Sequence, residues 1–132
     1  MPGNSRWIPQ EVRGAEVVDL LAALNTGHEG GCGTVHANSA VDVVSRLETL
    51  TLAAGLPRDA AHSQIGAALH VVVHLVRRPD GSRRVGEIGV VEVGEDHLVR
   101  VLLALSLDRD DTMREGPGAP VLLELLRERG PV

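Results

Sequence analysis

Apolar residues follow a helical spacing near the start of the chain. Residues 14–26 carry four apolar side chains at positions i, i+3, i+4 and i+7, the pattern of one face of an amphipathic helix: Val17, Leu20, Leu21 and Leu24. Gly27 follows as a stop signal. After two more glycines, residues 32–36 form a short and partly β-branched segment, which we expect to be a buried strand.

A second helix is predicted after Asn38 and Ser39, which are favourable N-cap residues. Asp42 lies three positions after Ser39, the spacing of a capping box. One side of this helix carries Val41, Val44, Leu47 and Leu50. The helix is predicted to end near Gly55, and a shorter helix over residues 58–67 follows.

The second half of the chain contains three apolar, β-branched runs that are predicted to be strands: residues 69–78, 84–93 and 98–105. A Pro-Asp-Gly turn at 79–81 and a Gly-Glu-Asp turn at 94–96 separate them. Because these connections are too short for a parallel crossover, we expect a three-stranded antiparallel meander. Residues 108–119 are polar and rich in Gly and Pro, so they are predicted to be a loop before a last helix that carries Val121, Leu122, Leu125 and Leu126.

Composition narrows the class of partner. The 132 residues are enough for one domain, and a net charge of −5 with one Trp and no Phe or Tyr argues against nucleic-acid binding. A single cysteine fits a reducing compartment. No uninterrupted apolar stretch reaches the length of a membrane span, and no signal peptide is recognised at the N-terminus. The sequence therefore predicts a cytoplasmic protein, with peripheral association at the inner face of the cytoplasmic membrane left open.

Two adjacent motifs carry the candidate chemistry. Residues 11–16 read Glu-Val-Arg-Gly-Ala-Glu, and residues 25–40 contain Gly-His, a glycine-rich loop and then Thr-Val-His-Ala-Asn-Ser. The first resembles the end of the Walker B element of type II/IV secretion ATPases, G-E-x-R-x-x-E. The second resembles the histidine box of the same family, with its G-H and T-x-H-A-N-S segments. The group most similar is the tight-adherence (Tad) pilus-assembly ATPases, also called CpaF-like.

The resemblance covers residues 11–132 and leaves 1–10 unmatched. It implies an α/β fold: a partial RecA-like (P-loop NTPase) C-terminal half, followed by an antiparallel β-meander and a C-terminal helix. Residues 11–67 would hold the Walker B end, the histidine box and the helices. Residues 68–107 would form the strands, and 108–132 the loop and terminal helix.

The resemblance also implies a site for ATP and Mg²⁺ built from two groups of residues: Glu11, Arg13 and Glu16 as catalytic residues, and His28, Thr34 and His36 as nucleotide sensors. A carboxylate such as Glu11 can order the attacking water or the water shell of the metal. The family forms homo-hexamers. Full-length secretion ATPase subunits or the membrane-platform proteins of pilus and secretion systems are therefore the implied partners.

Taken without the family, these residues have simpler interpretations. Glu11, Arg13 and Glu16 would be a solvated charge cluster at a helix start, and His28 and His36 ordinary loop histidines. A zinc interpretation arises because His28, Cys32 and His36 are spaced four apart, as are His70 and His74. Gly30 and Gly31 disfavour a helix that would bring the first three together, and no metal site is predicted.

The chain departs from the family at several points. No G-x-x-x-x-G-K-[ST] occurs, so the glycine loop and lysine that cradle phosphates are absent from this sequence. Gln10 replaces the usual glycine before Glu11, while His62 and His70 stand where the family tends to carry arginine and aspartate. We therefore expect a truncated secretion ATPase that is not catalytic alone. It should leave an unpaired strand edge and an uncovered apolar face.

Two alternatives to this hypothesis remain open at this point. The chain can be an interaction module that docks onto a full-length hexameric ATPase or onto pilus-assembly proteins. It can also be an active ATPase completed by a partner that supplies the phosphate loop.

Overall fold

The structure is a computed structural model, and it describes residues 11–12, 14–25 and 32–129. The elements in these ranges, in chain order, are β1 (Glu11–Val12), α1 (Glu16–Asn25), β2 (Thr34–Val35), a 3₁₀ helix (Ala40–Asp42), α2 (Val43–Ala53), α3 (Arg58–Ala68), β3 (Val71–Arg77), β4 (Arg83–Val93), β5 (Val99–Leu107), β6 (Met113–Glu115) and α4 (Ala119–Arg129). The described part of the chain is thus a mixed α/β protein, as predicted at the level of class.

The strands β1 and β2 pair in parallel, with Glu11 opposite Thr34 and Val12 opposite Val35. The helix α1 lies between them in the chain and buries Val17 and Leu21 completely or nearly so. A strand–helix–strand unit with parallel strands ends both strands at the same sheet edge. The predicted helix over residues 14–26 is confirmed within these narrower limits.

The prediction of a buried strand over residues 32–36 is wrong in extent and in burial. The strand β2 has two residues, of which Thr34 is exposed and Val35 half-buried. Its only neighbour among the described strands is β1.

The other four strands form one antiparallel sheet in the order β3-β4-β5-β6. The three strands predicted from β-branched runs are confirmed, but the sheet has a fourth strand inside the segment predicted to be a loop. A turn in which the Asp108 N–H donates to the Thr112 carbonyl, with Asp111 at φ 64°, returns the chain onto β5. The three side chains of β6 are all exposed and show no alternation, so the apolar pattern gave no signal for it.

Helices cover both faces of this sheet. On one face the 3₁₀ helix, α2 and α3 pack against β5, and their core includes Ala40, Leu47, Ile65 and Val101. On the other face α4 lies against β4 and β5. Gly118 permits this approach, because a Cβ at that position would lie 2.7 Å from the Leu102 carbonyl oxygen.

The start of the second helix differs from the prediction in two ways. The 3₁₀ helix precedes α2 and turns Val41 outward, so that Val41 is 50% exposed while Val43 is buried. The Ser39 hydroxyl donates to the Asp42 carboxylate at 2.8 Å instead of accepting from a backbone N–H, so the predicted capping box does not form. The last helix starts at Ala119, with Pro120 in its first turn, where the missing N–H costs little.

The strand β3 forms one edge of the antiparallel sheet. Val71, Val73 and Leu75 alternate along it and are 40%, 52% and 51% exposed. Among the described strands, the outer edge of β3 is therefore unpaired and carries half-exposed apolar side chains, whereas the edge expected from the missing half of the ATPase sheet stays a prediction.

Candidate functional site

A groove of about 720 Å³ separates the β2 segment from β3. Apolar side chains make up most of its lining, and the two walls are residues 33–37 and β3. The remaining lining residues are Val43, Leu47, Leu69 and Arg83. Residues of two strands that are not paired with each other thus line a common space.

The structure brings the backbones of two sequence-predicted site residues together, since Glu11 pairs with Thr34 in the parallel ladder. His36 follows one residue after β2 and lines the groove. Both Thr34 and His36 are exposed to solvent. The end of β1 and the start of the T-x-H-A-N-S segment, called the histidine segment below, therefore lie at one sheet edge. Such edges are where α/β proteins usually bind ligands.

Glu16 is engaged locally. It lies in the first turn of α1, where its Oε1 atom accepts a hydrogen bond from the Gly14 N–H at 3.1 Å. A carboxylate at this place also has a favourable interaction with the helix dipole. This contact agrees with the simpler interpretation of Glu16 as part of a helix start. Arg13 and His28 lie outside the described residues, and of Glu11 only the backbone is described.

Glu87 is a residue that the sequence reasoning missed. Its half-buried carboxylate on β4 accepts a hydrogen bond from the Ala40 N–H at 2.8 Å. Ala40 opens the 3₁₀ helix that follows the histidine segment, so this bond attaches that segment to the central part of the sheet. His74 stands opposite Glu87 on β3, with its Nδ1 atom 3.9 Å from Glu87 Oε1. A carboxylate inside a β-branched run was the available signal.

His62 is the second residue whose role was missed, since the sequence marked it only as a departure from the family. It is 4% exposed. Its Nδ1 atom accepts from the Val99 N–H at 2.9 Å, so the neutral ring carries its proton on Nε2 and donates to Glu48 at 3.0 Å. These two bonds tie α3 to β5 and to α2.

Glu48 also binds Arg58, whose Nε atom is 2.6 Å from Glu48 Oε2. The hydrogen bond from Arg58, and after it the one from His62, hold the pKa of the Glu48 carboxyl below its ordinary value. Arg58 is on α3 and Glu48 on α2, so the ionised carboxylate links the two helices. This cluster is a structural support beneath the sheet, and none of its members lines the groove.

No group of three His, Cys, Asp or Glu side chains among residues 11–12, 14–25 and 32–129 is arranged to hold a metal ion. Cys32 is a free, exposed thiol. His70 precedes β3 and is exposed, whereas His74 points towards Glu87. In the same part of the chain, none of the helices combines the length and the apolar character that crossing a bilayer requires.

The described residues form an α/β protein with two parts. A parallel strand–helix–strand unit leads into the histidine segment, and an antiparallel meander follows it. The chain belongs to the type II/IV secretion system protein family, whose sequence profile matches residues 8–107. The family assignment made from the two motifs is thereby confirmed.

Similar curated proteins come from several bacteria. Putative conjugal transfer protein Rv3659c of Mycobacterium tuberculosis is 49% identical over 127 residues, which are 94% of this chain and 34% of the relative. Probable conjugal transfer protein TrbB of Sinorhizobium fredii is 41% identical over 66% of this chain and 26% of its own length. Type IV secretion system protein PtlH of Bordetella pertussis is 33% identical over 61% of this chain and 25% of its own length. The chain therefore spans about a third or less of the length of these relatives.

Proposed function

We propose that this chain is the histidine-box part of a secretion or pilus-assembly ATPase, and that it works within that machinery without hydrolysing ATP by itself. The pairing of Glu11 with Thr34 is the observation that carries the proposal. It brings the Walker B-like motif and the T-x-H-A-N-S segment of the histidine box to one sheet edge, where α/β sheets usually bind ligands.

Each motif residue has a proposed role in the complete site. Glu11 and Arg13 would act on the phosphoryl group and its Mg²⁺-bound water, with Glu16 as the third residue of the motif. His36 would sense the γ-phosphate, supported by Thr34 and His28. An imidazole suits that task because it can donate a hydrogen bond to an anionic oxygen.

The residues present do not fit ATP and Mg²⁺ on their own. Phosphate cradles use free backbone N–H groups of a glycine-rich loop and a lysine, and this sequence has no lysine. A glycine-rich segment does open α4, but the Gly116 and Gly118 N–H groups donate to the Ala104 and Leu103 carbonyls of β5. Those donors are already used, so we derive no catalytic step for the isolated chain.

The decisive experiment compares ATP hydrolysis by the purified chain with hydrolysis by its Glu11→Gln variant. Equal, background-level rates with and without Mg²⁺ are expected, because neither protein has a phosphate loop. A Mg²⁺-dependent turnover that Glu11→Gln abolishes would contradict the proposal and make the chain a catalyst.

Within the family we propose the tight-adherence pilus ATPases as the specific group, on the strength of the histidine box and the Arg-Arg-Pro-Asp-Gly hairpin at residues 77–81. The relatives named for conjugal transfer and type IV secretion make DNA- or protein-transfer machines the alternatives. The proposed location is the cytoplasm, in a hexameric assembly of ATPase subunits beside the membrane platform.

An interaction module that docks onto a full-length ATPase is a second candidate function. Among the described strands the outer edge of β3 has no partner, and its exposed Val73 and Leu75 favour this function, because an apolar strand edge is a surface that another chain can cover.

A further inference from the structure

We propose that His74 and Glu87 form a proton-dependent contact that controls how firmly the histidine segment is held to the antiparallel sheet. A proton taken from solvent by the His74 ring draws the Glu87 carboxylate towards that ring and away from the Ala40 N–H. The contact itself needs no nucleotide. Its importance for His36 rests on the proposed function, in which the histidine segment senses a phosphate group.

The Ala40 N–H depends on Glu87 because its helix has no local side-chain cap. Ala40 opens the 3₁₀ helix and is 0% exposed, so its backbone is removed from solvent. The Ser39 hydroxyl, at the N-cap position, donates to Asp42 and makes no capping bond. The Oε1 atom of Glu87 accepts from the Ala40 N–H at 2.8 Å and so caps the helix from the sheet. Losing this acceptor would leave a buried donor unsatisfied, which is costly.

His74 presents an unpaired ring nitrogen to the same oxygen atom. It lies directly opposite Glu87 in the β3–β4 ladder, and its Nδ1 atom is 3.9 Å from Glu87 Oε1. That distance is too long for a hydrogen bond. The Nδ1 atom is nevertheless buried, and it has no hydrogen-bond partner among the described residues. Buried polar atoms without a partner are uncommon in folded proteins, so a small movement at this place would gain a bond.

Protonation of His74 supplies the force for that movement. A neutral imidazole has one N–H, whereas the charged ring has an N–H on both nitrogens and is attracted to a carboxylate. The side chains of His74 and Glu87 are 21% and 29% exposed, so water and salt screen their attraction incompletely. Shortening the separation to a hydrogen bond takes a movement of about 1 Å. Because Oε1 already binds Ala40, a movement of the carboxylate towards His74 weakens the Ala40 bond.

Other charged or titratable residues lie on the same strand as His74 and on the elements packed around it: Arg77 on β3, Arg83 and Arg84 on β4, Asp42 in the 3₁₀ helix and His36 in the histidine segment. Opposite Glu87, β5 contributes Ser106, a hydroxyl that does not titrate near neutral pH. Arginine and aspartate side chains ordinarily keep their charge between about pH 5.5 and 8. Among these residues, His36 is therefore the group whose titration has to be separated from that of His74.

The test follows the full 132-residue chain by NMR between about pH 8 and 5.5, the range in which imidazoles ordinarily titrate. Each histidine ring is monitored separately, together with the Ala40 amide. The Ala40 amide proton should move upfield as its hydrogen bond weakens, with the same midpoint as the His74 ring. Its protection from hydrogen exchange, corrected for the intrinsic pH dependence of exchange, should fall about tenfold over the same range.

Three variants make the assay specific. His74→Gln keeps a polar side chain that does not titrate, and Glu87→Gln keeps an acceptor oxygen without the charge. In both variants the Ala40 signal should stay constant across the pH range. His70→Gln is the matched control, because His70 is exposed and precedes β3, and it should keep the pH curve of the parent chain. Far-ultraviolet circular dichroism verifies that the variants are folded, and His74→Gln alone still tests the contact if Glu87→Gln is not.

Several outcomes would overturn the proposed contact: an Ala40 signal that does not change with pH in the parent chain, a change that follows the midpoint of His36, or a change that persists in His74→Gln. A downfield movement would overturn it too, because the Ala40 bond would then tighten when His74 is charged. None of these results depends on ATP. Mg²⁺-dependent turnover by the chain alone would contradict the proposed function without contradicting the contact, so the two failures are distinguishable.

Discussion

The Glu87 carboxylate accepts a hydrogen bond from the Ala40 N–H across 2.8 Å, between residues 47 positions apart in the chain. The bond joins the central strand β4 to the turn that follows the histidine segment. The position of His36 therefore also depends on the antiparallel sheet, although His36 itself follows the parallel ladder.

Glu87→Ala should lower the free energy of unfolding by about 1–2 kcal/mol, because the Ala40 N–H loses a charged acceptor in a half-buried place. Glu87→Gln keeps an acceptor oxygen and should cost less. Urea unfolding with an unchanged m-value measures both. Glu92→Ala on the same strand is the control, and an equal loss there would contradict a specific role for Glu87.

His62→Ala should be more damaging, by about 2–4 kcal/mol, because it opens a cavity and leaves the Val99 N–H without its acceptor. The comparison variant is His70→Ala, since His70 is exposed. Thermal or urea unfolding measures the difference between them. Comparable stability of the two variants would mean that the buried ring is dispensable.

Stability should also depend on acid pH through Glu48. Hydrogen bonds from Arg58 and His62 lower the pKa of Glu48 in the folded chain relative to its ordinary value of 4.5. The ionised carboxylate therefore contributes stability above about pH 4.5, and this contribution is lost as the pH falls through the lower, folded pKa. The stability difference between the parent chain and Glu48→Gln should shrink as the pH falls below about 4.5 through the lower, folded pKa of Glu48.

Arg58, whose hydrogen bond is the largest single cause of the lowered pKa of Glu48, can be tested separately. Arg58→Ala should reduce the loss of stability between about pH 5 and 3, since it removes the main interaction that favours the ionised carboxylate. Arg46→Ala, an exposed position on α2, is the control. Parallel pH profiles for the parent chain and Arg58→Ala would refute the assignment.

Gly89→Ala tests the contact between the sheet and the 3₁₀ helix. A Cβ at Gly89 would overlap the Val101 side chain and touch Ala40, so the substitution should cost about 1–3 kcal/mol. Adding Val101→Ala removes the overlap, and the double variant should be more stable than the sum of the two single losses predicts. Strict additivity would show that the overlap is not the cause.

Local patterns predicted most of the elements but few of the connections between them. The strands β3, β4 and β5 followed from β-branched runs and turn residues, which act over a few neighbouring positions. By contrast, β6 is polar and exists because a turn at Asp111 returns it to β5. Val41 faces outward because three residues wind as a 3₁₀ helix, which the spacing of apolar residues does not reveal.

Only part of the candidate site could be predicted, because local patterns do not show contacts between distant positions. The structure pairs Glu11 with Thr34 in a parallel ladder, a register that was not predicted from the sequence. Glu87 and His62 bind partners that are 47 and 37 positions away, so no short motif contains either contact. Their only local signal was a polar residue within an apolar run.

The shortness of the two-residue β1–β2 ladder affects how cooperatively the chain unfolds. The β3–β4 and β4–β5 ladders are long, and each joins strands that are neighbours in the chain. Residues 71–107 therefore form a unit that can fold early and unfold last. The short parallel ladder has few bonds to break, and sub-global opening there needs much less free energy than unfolding of the meander. Opening of this ladder would therefore release His36 from the sheet edge while the antiparallel sheet stays folded.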